Sequence, residues 1–69
     1  SLNLDISDVP EDIKKRLRGA IKYFSGDRSN VQVYVVVNGE KRPCGGIFLT
    51  ADVLNIFEEI LGKENVAYS

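Results

Sequence analysis

One stretch leaves this chain few options: Val31-Gln32-Val33-Tyr34-Val35-Val36-Val37, followed at once by Asn38-Gly39. Valine loses little by being extended, and its branched side chain suits a pleated surface. All the odd positions of the run are Val, so one face is wholly apolar. The even face reads Gln32, Tyr34 and Val36, a half-wet surface. Asn-Gly supplies the two positive φ angles of a type I′ turn. The run therefore predicts a strand that is sent straight back as a hairpin, with the rest of the chain packed on its valine face.

Sixty-nine residues make one domain, residues 1–69, with a small core. The single cysteine, Cys44, excludes an internal disulfide. With no histidine, the usual zinc ligand sets and the Ser-His and Cys-His nucleophile pairs are out of reach. Hydrophobic residues make up 43% and charged residues 28%, a globular balance rather than a disordered one. A net charge of −1 gives no bulk attraction to nucleic acid or membrane. No apolar run is long enough to span a bilayer, and no signal-like segment opens the chain. An unpaired thiol without a targeting signal favours the cytoplasm. The chain opens without methionine, already inside a strand-like pattern, so it is expected to be an excised module of a longer protein.

Leu2, Leu4 and Ile6 alternate with Asn3, Asp5 and Ser7, which predicts a short strand. Asp8-Val9-Pro10-Glu11-Asp12 is a helix-start signal, with Asp8 as the expected cap. Val9, Ile13, Leu17, Ala20, Ile21 and Phe24 then form one buried stripe. Gly19 lies within that helix and suggests a close approach to the sheet, and Gly26 is expected to end the helix. After the hairpin turn, Glu40 to Leu49 reads as a return strand interrupted by a bulge or break near residues 43–46. Thr50 caps a second helix whose stripe is Val53, Leu54, Phe57, Ile60 and Leu61, and Gly62 ends it. Val66-Ala67-Tyr68 makes a last strand.

The order strand-helix-strand-strand-helix-strand predicts an α+β two-layer sandwich, ferredoxin-like (split βαβ), with two helices on one face of a four-stranded sheet. The ferredoxin-like strand order would put the Gly-rich third strand in the sheet centre, where it fits poorly, and the Val run is the better central strand.

Charge is the clearest functional signal. Residues 10–25 hold Lys14, Lys15, Arg16, Arg18 and Lys22 against Glu11 and Asp12, a net of +3. Residues 51–64 hold Asp52, Glu58, Glu59 and Glu64 against Lys63, a net of −3. Lys14, Arg18 and Lys22 are four apart and share one face, with Lys15 beside them. These are either two solvated helix faces or a basic surface for an acidic partner or phosphates. An RNA-recognition motif has the same element order, but the first strand here has no aromatic residue and the third has only Phe48. Tyr34 could still stack a base. Gly45-Gly46 precede a strand rather than a helix, so they are no phosphate loop. Glu58 and Glu59 are adjacent on a helix and point apart. No catalytic residue, metal ligand or cofactor site is predicted, and an enzyme active site within these residues is not expected.

The passage Phe24-Ser25-Gly26-Asp27, Val31 to Val37 and Asn38-Gly39 resembles the helix, G-[DN], V-x-[VL]-x-[VIL] passage of the C-terminal domain of the bacterial DNA polymerase III alpha subunit. The close, Leu61-Gly62-Lys63-Glu64-Asn65-Val66, is similar to that domain's LLG-x-ENV ending. The resemblance covers nearly the whole chain. It departs at Asn30, where many members have Pro, and at Pro43-Cys44-Gly45-Gly46. It implies a DNA-directed DNA polymerase as parent, with the two-metal carboxylates far upstream in a palm domain. It implies docking of the clamp-loader tau subunit and other replisome proteins, with weak contact to single-stranded DNA. The partner-binding candidates are Lys14, Lys15, Arg18, Lys22 and Tyr34. The competing expectation is a stand-alone regulatory or ligand-binding domain. Such a domain would want a glycine loop after the first strand, where this chain has Ser7-Asp8-Val9-Pro10.

Overall fold

The computed structural model describes residues 1–69. Leu2–Asp5 (β1) leads into a helix over Glu11–Phe24 (α1), then Val31–Val37 (β2) and Glu40–Ile47 (β3). Ala51–Leu61 (α2) follows, then a short 3₁₀ turn at Lys63–Asn65 and Val66–Tyr68 (β4). This is the expected α+β sandwich: four strands in one mixed sheet, in β-α-β-β-α-β order, with two helices.

The strand order is β3-β2-β1-β4. The valine run is central, and the Gly-rich β3 lies at an edge, where a missing donor and missing side chains cost least. β1 and β2 are direct parallel neighbours, in register Leu2↔Val33 and Leu4↔Val35, so the first βαβ unit is not split. The second is split twice over: β2 pairs antiparallel with β3 and β1 pairs antiparallel with β4, so β3 and β4 run parallel with both central strands between them.

The hairpin turn forms as its sequence requires, with Asn38 at φ 50° and Gly39 at φ 82°. The interruption of β3 is a bulge. Gln32 faces Gly46 and Tyr34 faces Pro43, so Cys44 and Gly45 together oppose Val33, and Gly45 takes φ 87°. Asn30 extends the β2–β3 ladder. Its N–H donates to the Ile47 carbonyl at 3.0 Å, and its side-chain Oδ1 accepts from the Leu49 N–H at 2.8 Å. Its Nδ2 donates back to the Leu49 carbonyl at 3.3 Å. A proline here would lose all three bonds, which gives Asn30 a structural reason of its own in this chain.

The core is nine buried side chains, none polar: Leu2, Leu4, Leu17, Ile21, Val33, Ile47, Val53, Phe57 and Leu61. Both helix stripes point into it as their spacing predicts, with Ile13, Ala20, Phe24, Leu54 and Ile60 packed around its margin. Thr50 Oγ1 accepts from the Val53 N–H at 3.2 Å and caps α2, and Gly62 ends it at φ 89°.

Two local expectations are corrected. Asp8 does not cap α1. Pro10 occupies the cap position without a side-chain bond, because residues 6–9 form a turn in which the Val9 N–H donates to the Ile6 carbonyl at 3.3 Å. Gly19 makes no close approach to the sheet: it is exposed, and a Cβ there would meet nothing within 4 Å. With space available and helical backbone, Gly19→Ala is expected to stabilise the domain by about 0.5–1 kcal/mol. A thermal melt should rise by several degrees, since about 1 kcal/mol shifts a domain of this size by roughly 4–8 °C.

The end of β1 is tied to the hairpin through one hydroxyl. Asp5 Oδ1 accepts from the Ser7 N–H at 3.0 Å and from Ser7 Oγ at 2.7 Å, while Ser7 Oγ accepts from the Asn38 N–H at 2.8 Å. The backbone bond from Ser7, then its hydroxyl bond, hold the Asp5 carboxyl below the usual carboxylate range, against a smaller opposing effect of burial. A depressed folded-state pKa contributes stability that is present above the unfolded value, near 4. That contribution is lost as the pH falls through the folded value. The melting temperature should therefore drop below about pH 4. In Asp5→Asn, which keeps an acceptor but cannot titrate, that part of the pH dependence should be missing.

Candidate binding groove between α1 and β3

The strongest concave feature is built by two segments far apart in sequence. α1 contributes Arg18, Ile21 and Lys22, the residue just past its end contributes Ser25, and the β3 bulge contributes Cys44, Gly45 and Gly46. The groove holds about 340 Å³. Ile21 belongs to the core and floors the groove with apolar surface. Arg18 and Lys22 are one helical turn apart on its rim. The opposite wall is Cys44 with the backbone of Gly45 and Gly46.

Each glycine of that wall has its own local cause. Gly45 needs positive φ to make the bulge. Gly46 leaves room for the loop before β2, since a Cβ on it would lie 3.0 Å from Ser29 Cβ and 3.3 Å from the Val31 carbonyl oxygen. The Ser25 hydroxyl donates to the Lys22 carbonyl at 2.7 Å and helps end the helix. Cys44 is a free, exposed thiol.

The electrostatics single out the rim. The two ion pairs of the molecule are Lys14–Glu11 at 3.4 Å and Arg42–Glu40 at 3.2 Å. Arg18 and Lys22 therefore have no acidic partner, and both are exposed. The basic row is not uniform: Lys14 is partly covered and tied to Glu11, whereas Lys15 is exposed and lies outside the groove.

Tyr34 is not part of this arrangement. The odd residues of β2 face the helices, so Tyr34 lies on the other side of the sheet, opposite Asn3 and Pro43. Lys41 Nζ sits 4.5 Å from its ring centroid, a cation–π contact already made within the chain. On the same outer face Asn3 Oδ1 is buried without a hydrogen-bond partner. The predicted residues thus fall into two groups on opposite sides of the sheet.

Sequence reasoning missed Ile21, Ser25, Cys44, Gly45 and Gly46 as lining residues. The available signal was the misfit at Pro43 to Gly46, which marked a bulge but not what the bulge would face. No group of three or more His, Cys, Asp or Glu side chains is placed to hold a metal ion. No helix is long and apolar enough to cross a membrane. Compared with protein-family models, curated proteins and solved structures, the chain matches none.

Proposed function

We propose that this chain is a non-catalytic protein-interaction module, the C-terminal domain of a bacterial DNA polymerase III alpha subunit, and that it docks the clamp-loader tau subunit through the basic face of α1. The observation that carries the reading is the pair Arg18 and Lys22, exposed, without acidic partners, on the rim of a groove floored by Ile21. Cations held in solvent beside apolar surface suit recognition of an acidic protein partner, because complementary charge steers encounter and selects among partners. The resemblance at Phe24 to Asp27, Val31 to Gly39 and Leu61 to Val66 supplies the replisome context. Polymer synthesis would belong to palm-domain carboxylates outside these residues, and the setting would be the cytoplasm. Contact with single-stranded DNA would be weak, since a few exposed cations on a chain of net charge −1 neutralise few phosphates.

The test reverses the row in Lys14→Glu, Arg18→Glu and Lys22→Glu together. Tau binding is expected to fall by about tenfold or more, with the loss shrinking as salt is raised. Thermal stability should change by no more than about 0.5 kcal/mol at Arg18 and Lys22, which are exposed, and by up to about 1 kcal/mol at Lys14, which is partly covered and loses its pair with Glu11. Undiminished tau binding by the folded triple variant would overturn the reading.

A further inference from the structure

The geometry points to the α1–β3 groove as a receptor for a short, extended acidic peptide that carries an apolar side chain. This occupant deepens the docking function proposed above and rests on it. The groove offers three different surfaces, and one ligand chemistry uses all of them. Ile21 at its floor can cover an apolar side chain. Arg18 and Lys22 on one rim, both without acidic partners, match carboxylates flanking that side chain. Gly45 on the other rim has no side chain and open space where one would stand, so a ligand main chain can come close to its backbone. A volume of about 340 Å³ lies at the low end of small-ligand pockets and admits a few residues, not a folded element.

Two competing occupants fit less well. Strand addition along β3 is obstructed, because Pro43 removes a backbone donor and the bulge at Cys44-Gly45 breaks the edge's regular spacing. A nucleic-acid backbone would use the two cations but neither the apolar floor nor the glycine wall, and it would approach a chain of net charge −1.

Cys44 makes the test direct, being the only thiol in the chain and part of the groove lining. The probe is a blocked five-residue peptide with one central leucine flanked on each side by two aspartates, titrated into the labelled domain and followed by amide NMR. Shifts are expected at Arg18, Ile21, Lys22, Ser25, Gly45 and Gly46, and alkylation of Cys44 by iodoacetamide should slow as the peptide saturates. Arg18→Glu with Lys22→Glu should weaken binding by about tenfold or more. The same charge change placed outside the groove, Lys14→Glu with Lys15→Glu, should cost about threefold or less. Cys44→Trp should block the groove without changing charge, and because Cys44 is exposed the variant should keep its far-UV circular dichroism. The inference is overturned if the peptide shifts none of these amides. It is equally overturned if an all-aspartate peptide binds as well, or if an oligothymidylate occupies the groove more tightly than the peptide. Tau binding by Cys44→Trp separates the two proposals. A peptide that fills the groove while tau still binds the plugged domain would remove the docking function and leave the receptor. Tau binding lost in the charge-reversed triple variant, with no peptide in the groove, would do the reverse.

Discussion

Val33→Asp is expected to leave the domain unfolded at 25 °C. Val33 is fully buried, lies on the helix side of the central strand and pairs with the equally buried Leu2 of β1. No buried polar or charged side chain exists in this core to receive a carboxylate. An aspartate there must either ionise without a partner or stay protonated without hydrogen bonds, and either costs several kcal/mol. A domain of 69 residues has roughly 3–10 kcal/mol in total, on the basis of about 0.05–0.15 kcal/mol per residue. Circular dichroism should show loss of both helices and of any cooperative melt. Val35→Asp is the informative contrast. Val35 is on the same face but only half-buried, so its carboxylate can reach water at the sheet margin. That variant should fold with a lowered melting temperature. If the two variants melt alike, the core is not centred where the burial places it.

The contrast between Val33 and Val35 marks where sequence reading stops. Alternation identified the apolar face of β2, but all four odd valines looked equal. Which of them is sealed depends on neighbours far away in the chain. Element order and both helix stripes were legible because they rest on local periods of two and about 3.6 residues. The hairpin was legible because Asn38-Gly39 has a single favoured turn. Pro43 and its glycines argued against a central place for β3 without fixing the strand order, and the element order alone would have placed that strand between its neighbours. The α1 cap was misread because Asp8 is spent in a turn before the helix, a competition that a cap residue's identity does not reveal. Gly19 was misread because a glycine's lack of a side chain says nothing about what stands beside it. The groove was illegible for the same kind of reason: residues 18–25 and 44–46 share no local pattern and meet only once α1 is packed on the sheet, with the Phe24 carbonyl bonded to the Phe48 N–H just past β3. Charge did locate one side of it, since Arg18 and Lys22 were visible as part of a basic row.

Phe57→Ala should cost about 3–5 kcal/mol, the usual range for deleting a buried aromatic ring. Phe57 is fully buried and is the largest such side chain in the core. Its ring meets Phe24 edge-on at 6.2 Å between centroids, and Phe24 in turn meets Tyr23 at 5.1 Å. Phe24 is the last residue of α1, and its carbonyl accepts from the Phe48 N–H at 3.0 Å. The ring on α2 therefore steadies the end of α1 that carries Lys22 and Ser25, one wall of the groove. Against a total of roughly 3–10 kcal/mol, the alanine variant should be largely unfolded or melt far below the parent protein. Phe57→Leu, which retains most of the apolar volume, should cost less and keep a cooperative urea transition. In that folded variant the aromatic contact alone is gone. Hydrogen exchange should then quicken first at Lys22 to Ser25, while the amides of β2 stay protected. Uniform loosening of the whole sheet would mean that the ring pair holds no special part of α1. The groove wall would then take its rigidity from Ile21 and from the Phe48–Phe24 backbone bond.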